Sequence, residues 1–183
     1  MAKLTKGYEP YMTNLVYQKV GVFIDAENVE MSGYNVYGGR TNYALLIEEV
    51  GKREITRIIY YKPIHKQISE DFRRFWTNMG GEIKQPIKNA DAWLTIDAVT
   101  LSEKLDVVVL VGGDKDYMPL IWYLKNRGCK VEVWSYPETC SDMIRDAADL
   151  FVPMDDRFTI HETKPPTSAP RPPAGQGTVR RRG

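Results

Sequence analysis

Cysteine is scarce in this chain: its 183 residues include two, Cys129 and Cys140. They lack metal-ligand spacing and the density of a disulfide scaffold, so both read as reduced thiols of a cytoplasmic protein. No apolar run approaches the roughly 20 residues needed to cross a bilayer, so no membrane span is expected. The N-terminus lacks a charged start followed by an apolar segment, and a secretory leader is not expected. No charge of one sign dominates, since 25 Lys and Arg against 24 Asp and Glu leave a formal net charge of +1. Any nucleic-acid role must therefore rest on local patches. Internal repeats are missing too. What remains, at 43% hydrophobic residues, fits one soluble domain with a sizeable core plus tails.

The most informative segment present is Val107-Val108-Val109-Leu110-Val111-Gly112-Gly113-Asp114-Lys115-Asp116-Tyr117. A continuous apolar run without alternation predicts a strand buried on both faces of a parallel sheet. The two aspartates after it then stand at the carboxyl end of a central strand, where open α/β sheets bind ligands. A second run, Val20 to Ala26, ends the same way, in Asp25, Glu27 and Asn28.

Strand and helix patterns alternate along the rest. Val29 to Arg40, rich in Gly, Tyr and Asn, reads as a mobile loop over the site. Thr41 or Asn42 caps a helix with Leu45, Leu46 and Val50 inward. Glu54 to Lys62 is the next strand, ended by Pro63. His65 to Met79 is amphipathic, closed by Gly80-Gly81. Glu82 to Gln85 is a short strand, Asp91 to Lys104 a helix, and Asp106 to Val111 the key strand. A helix from about Tyr117 to Asn126, a strand Lys130 to Trp134, a short helix near Cys140 to Ala147 and a strand near Leu150 to Val152 follow. This order predicts a three-layer α/β/α domain around a doubly wound, mainly parallel sheet, Rossmann-like with right-handed crossovers. It spans residues 20–161, after an N-terminal extension 1–19. The Pro/Arg-rich tail 162–183, ending in Arg180-Arg181-Arg182-Gly183, reads as disordered.

Asp25, Asp114 and Asp116 leave strands, and Asp91 opens a helix. If the first and fourth strands are neighbours, all four reach one edge. Clustered carboxylates repel, and burying them unpaired costs several kcal/mol. A divalent cation resolves that conflict, and Mg²⁺ suits oxygen ligands with several retained waters. Alternatively, each acid serves alone as a cap or turn residue.

Three motifs occur in order: Phe23-Ile24-Asp25-Ala26-Glu27-Asn28, Lys88-Asn89-Ala90-Asp91 with Asp97 beyond, and Gly112-Gly113-Asp114-Lys115-Asp116-Tyr117-Met118-Pro119-Leu120. Together they resemble the NYN domain, of the PIN-like nuclease branch that includes LabA/DUF88-like proteins. The resemblance covers about Val20 to Pro153. It implies a ribonuclease hydrolase in which Asp25, Asp91, Asp114 and Asp116 are catalytic and bind Mg²⁺ or Mn²⁺. Asp97 also falls on an acidic position of the family, although six residues on a helix turn it away from Asp91. One departure is visible: the family's usual Ser-Gly-Asp is Gly112-Gly113-Asp114 here, one hydroxyl fewer for a water or phosphate.

RNA, single-stranded or structured, is the expected partner, with DNA as a second substrate class and a homo-oligomer compatible. Lys62, Lys66, Lys88 and Lys115 are placed to grip phosphates, which sets affinity and register but not sequence. The resemblance also implies Asn28 as a polar companion of the four acids, on the substrate-binding side. His65 is a candidate proton shuttle or merely exposed surface. Tyr34 and Tyr37 in the expected loop, and Trp93, could stack on unpaired bases, with core packing as the alternative for Trp93. Two other functions compete: an RNA-binding or regulatory module without turnover, and a HAD-like phosphohydrolase using Asp25. The latter wants an aspartate where Glu27 stands.

Overall fold

Six strands pair in parallel throughout: β1 (Lys19–Asp25), β3 (Glu54–Tyr61), β4 (Glu82–Lys84), β5 (Val107–Val111), β6 (Lys130–Ser135) and β7 (Leu150–Pro153). A separate two-stranded antiparallel piece joins β2 (Arg40–Thr41) to β8 (Thr159–Ile160). The computed structural model describes residues 18–51 and 53–161. Most of the expected N-terminal extension and the whole Arg-rich tail lie outside the described residues.

The sheet order is β4-β3-β1-β5-β6-β7. Counting only its own strands along the chain, the sheet starts in the middle, builds outward to one side, then returns to build the other. This is the doubly wound order, and its switch point lies between β1 and β5. A crevice opens there because the connections leaving the two neighbouring strands go to opposite faces.

Alternation along each strand assigns the faces. Val20, Val22, Ile24, Ile58, Tyr60, Val107, Val109, Val111 and Trp134 pack on one side. Helices α1 (Ala26–Tyr37), α2 (Tyr43–Val50) and α3 (Glu70–Asn78) cover that side through Val29, Leu46, Val50 and Trp76. Phe23, Ile59, Tyr61, Val108, Leu110, Val131 and Val133 face the other way. There they meet α4 (Ala90–Leu101), α5 (Met118–Asn126) and α6 (Asp142–Ala147) through Leu94, Ala98, Leu120, Ile121, Leu124 and Ile144. Each fully buried Val, Leu, Ile or Phe among them contributes about 1.5–3 kcal/mol of transfer free energy. The valines of β5 are buried on both faces, which is why that segment shows no alternation.

Three sequence expectations need correction. Residues 29–40 are not a loop: all but the end of that stretch is α1, capped by Asp25, whose side chain accepts the Asn28 N–H at 3.2 Å. Its Gly33 fits against Tyr136, so the glycine there is a packing residue and not a break. The third helix begins at Glu70 and not at His65, because the Ser69 hydroxyl accepts the Phe72 N–H and fixes the start there. The last helix begins at Asp142, after a turn in which the N–H groups of Thr139 and Cys140 bond the Tyr136 carbonyl. The α2 cap is Asn42, accepting from the Leu45 N–H.

Candidate active site at the carboxyl edge of the sheet

Asp25 ends β1 on the face that carries Phe23, toward α4 and α5. Its two oxygens have different partners: Oδ1 accepts from Asn28 N–H, and Oδ2 accepts from the Tyr117 hydroxyl at 2.8 Å. Tyr117 is 3% exposed and follows β5 by one short 3₁₀ turn, Lys115–Tyr117. The Asp114 side chain caps that turn by accepting from Asp116 N–H at 3.0 Å. The neighbouring strand therefore delivers the phenol that holds the first strand's carboxylate. This link spans the switch point.

Two glycines shape the turn that leaves β5. Gly112 has φ 154°, a conformation side chains rarely adopt, and a Cβ there would sit 3.4 Å from the Asp25 Cβ. A Cβ on Gly113 would come within 2.8 Å of Ser135 Oγ and 2.9 Å of Cys140 Cα. Asn28 closes the arrangement, its Oδ1 accepting from the Gly113 N–H at 2.8 Å. The glycine in place of the family's serine thus sits in a backbone geometry that favours glycine.

Asp91, Asp114 and Asp116 line one cleft of about 260 Å³ with Thr95, Ile96 and Tyr117. Asn89, in the left-handed region at φ 54°, turns the chain into α4 and so sets where Asp91 emerges. Burial pushes the Asp25 carboxyl above its ordinary value of 3.8; the bonds from Asn28 and Tyr117 lower it, and the charges of Asp114 and Asp91 raise it further. Burial likewise raises the Tyr117 hydroxyl, with the Asp25, Asp91 and Asp114 charges adding to it. Tyr117 therefore stays a protonated donor at neutral pH.

Among the described residues, no three His, Cys, Asp or Glu side chains converge tightly enough to hold an ion as they stand. The donor chemistry nonetheless fits a hard cation. It is all oxygen, the like charges around Asp25 call for a counter-charge, and Mg²⁺ is commonly bound by one or two carboxylates and waters.

The other predicted residues fall elsewhere. Asp97 accepts from the Tyr61 hydroxyl and pairs with Lys84, each at 2.7 Å, so its charge is matched within the fold. Lys62 faces Glu30 at 2.6 Å and Lys66 faces Glu27 at 3.2 Å. Lys88, Lys115 and His65 are exposed. Tyr34 is 67% exposed on α1, whereas the Tyr37 ring packs against Tyr136 with centroids 5.8 Å apart. Trp93 is 51% exposed and is not a core residue. Sequence reasoning passed over Tyr117 and Glu30. The first carried a signal, an aromatic three residues after a capping aspartate. The second carried none, since the helix that presents it was read as a loop.

The sequence profile of the NYN domain matches residues 19–155. The chain belongs to the NYN domain family. A crystal structure of a protein of unknown function from Vibrio parahaemolyticus is similar, with a TM-score of 0.71 and 24% identity over 79% of this chain and 98% of that one. That likeness shows the fold, consistent with a PIN-like NYN domain. No curated protein matches the chain. NYN membership points to nuclease-like function at a coarse level. No helix among the described residues is long and apolar enough to cross a membrane.

Proposed function

We propose that this NYN domain is a metal-dependent ribonuclease that hydrolyses RNA phosphodiesters at the cleft lined by Asp91, Asp114, Asp116 and Tyr117, whose hydroxyl bonds Asp25. One observation carries the reading: Asp91 and Asp114, from two other segments, place their charge against the buried Tyr117–Asp25 hydroxyl–carboxylate pair at the switch point. A stability-driven fold has no use for this arrangement, because the repulsion raises the free energy of the folded chain.

Asp25, Asp91 and Asp114 would hold Mg²⁺ or Mn²⁺, with Asp116 at the rim of the same cleft. When bound, the ion supplies charge neutralisation at the phosphate and acidifies a water for attack. Tyr117 keeps Asp25 in one rotamer by occupying a single lone pair of Oδ2. Asn28 fixes the Gly112-Gly113 turn, so the Asp114 backbone stays in place. Lys115 and Lys88, exposed on either flank, bind phosphates of the strand. In-line hydrolysis leaves a 5′-phosphate and a 3′-hydroxyl, as the resemblance to PIN-type enzymes implies.

Labelled single-stranded RNA and DNA, incubated with Mg²⁺, Mn²⁺ or EDTA, test this. The expected result is RNA cleavage lost in EDTA. In Asp25→Asn and Asp114→Asn it falls beyond the roughly 10–100-fold typical of a lost outer-shell partner. Full activity in either variant would refute the assignment. A second reading, an RNA-binding module without turnover, is favoured by the lack of a preformed three-carboxylate set among the described residues. It predicts retained RNA and no product with either metal. The HAD-like alternative fares worse, because Glu27 stands where it needs an aspartate and faces Lys66.

A further inference from the structure

On the opposite face of the sheet from the acidic cleft, a cavity of about 590 Å³ opens between α1, the start of α2 and the segment before α3. Its aromatic lining includes Tyr43, Tyr60 and Phe72, and Tyr34, 67% exposed, is also part of its lining. Glu30 is the one carboxylate lining it; it accepts from the hydroxyls of Tyr43 at 3.2 Å and Tyr60 at 2.5 Å and from Lys62 Nζ at 2.6 Å. Three donors hold that side chain, and a carboxylate has about four lone-pair sites. One acceptor position therefore remains. Arg40 and Lys62 also line it, Lys62 paired with Glu30.

Size, flat aromatic walls and one oriented acceptor are the features of a small-molecule pocket and of a stacking platform for bases. The cavity also adjoins the acidic edge. Glu30 follows Asp25 by five residues of α1, about 7.5 Å along the axis. Lys62 follows Tyr61, which pairs with Asp25 in the β1–β3 register. A strand crossing the carboxyl edge at Asp25 reaches this mouth within neighbouring nucleotides.

We propose that this cavity takes an unpaired nucleobase, stacked against Tyr34 with its N–H edge toward Glu30, as a base subsite beside the phosphodiester site. The subsite rests on the reading of the chain as an RNA enzyme, and it deepens that reading by making one position of the strand base-dependent. The ligand chemistry is shared by a base on a strand and by a free nucleotide.

Fluorescence anisotropy in EDTA, which suppresses cleavage, compares a labelled oligoadenylate with an abasic strand of equal length on the full chain. The expected result is tighter binding of the strand with bases, by roughly 5- to 150-fold for one stacked base. Tyr34→Ala, at an exposed position, removes one wall; Ala44→Trp, on the exposed lining of α2, fills the space. Both variants shrink the gap while circular dichroism stays unchanged. Competition by adenosine monophosphate assigns the pocket to free nucleotides as well, and its absence beside a persisting gap assigns it to the strand alone. Equal binding of the two strands, or a gap unchanged in both variants, overturns the proposal. Cleavage by the unaltered chain in Mg²⁺ is scored separately. Cleavage without a gap retires the subsite and keeps the nuclease, and a gap without cleavage does the reverse.

Discussion

Asp25 carries two duties that pull against each other. As the cap of α1 it contributes about 1 kcal/mol, but as a buried acid beside Asp114 and Asp91 it costs stability when charged. Asn caps as well as Asp, so Asp25→Asn isolates the charge. Because burial holds the folded carboxyl above its ordinary value, the folded chain binds the proton more tightly than the unfolded one does. Stability therefore falls as pH rises from the unfolded value of about 3.9 through the raised folded value. Asp25→Asn is expected to raise the metal-free melting temperature at pH 7, with the gain vanishing at acid pH. Thermal melts across that range check it, and a destabilised variant at neutral pH would count against the crowding of charges. Tyr117→Phe removes the donor to Asp25 Oδ2 and is expected to cost about 1.5–3 kcal/mol of stability at neutral pH. Its loss of cleavage should exceed that cost, since a freed carboxylate no longer presents one geometry. Gly112→Ser restores the family's hydroxyl but forces a side chain into φ 154°. It should destabilise the fold by on the order of 1 kcal/mol or more, measured as a shift in denaturant midpoint.

Most elements were legible because each rested on a strong local signal. The β5 valines gave an unbroken apolar run, Asn42 a cap, and Pro63 a stop after β3. The misreading of α1 has a physical cause. Its sequence, AENVEMSGYNVY, has few buried positions, namely Ala26, Val29, Ser32 and Gly33, so helical periodicity is faint and glycine dominates the impression. Tertiary contact decides instead: Gly33 lets Tyr136 pack against the helix, and a larger residue would meet its hydroxyl. Hydrogen exchange tests the helix directly. Amides from about residue 30 to 37 should be protected to nearly the depth of β1, whereas a mobile loop would exchange within seconds. Of the candidate site, the positions of Asp25 and Asp114 after strands and of Asp91 at a helix start were legible. Tyr117 carried a local signal in its spacing from Asp114, whereas the pairings of Asp97, Lys62 and Lys66 depend on contacts between residues distant in sequence, which no local pattern encodes.

For the whole molecule, the doubly wound order followed from the alternation of strands and helices, while the small β2–β8 ladder did not, being two residues on each strand. Near-neutral net charge sets a further expectation. With Lys62 and Lys66 facing glutamates, few cations remain to displace counterions from RNA. Binding should weaken with salt at a shallow logarithmic slope, about −1.4 for the two single-strand phosphate contacts of Lys88 and Lys115. Removing Arg180, Arg181 and Arg182 should flatten it further if the tail engages RNA, and an unchanged slope would show that it does not. The central claim is that carboxylates from β1, α4 and the β5 turn meet to share a divalent ion. Anomalous scattering from Mn²⁺ in crystals of the full chain tests that claim most directly. A peak in the cleft between Asp25, Asp91 and Asp114, lost in Asp25→Asn, is the predicted result. Crystals equilibrated with saturating Mn²⁺ that show no density there, or show it only at another site, would contradict it.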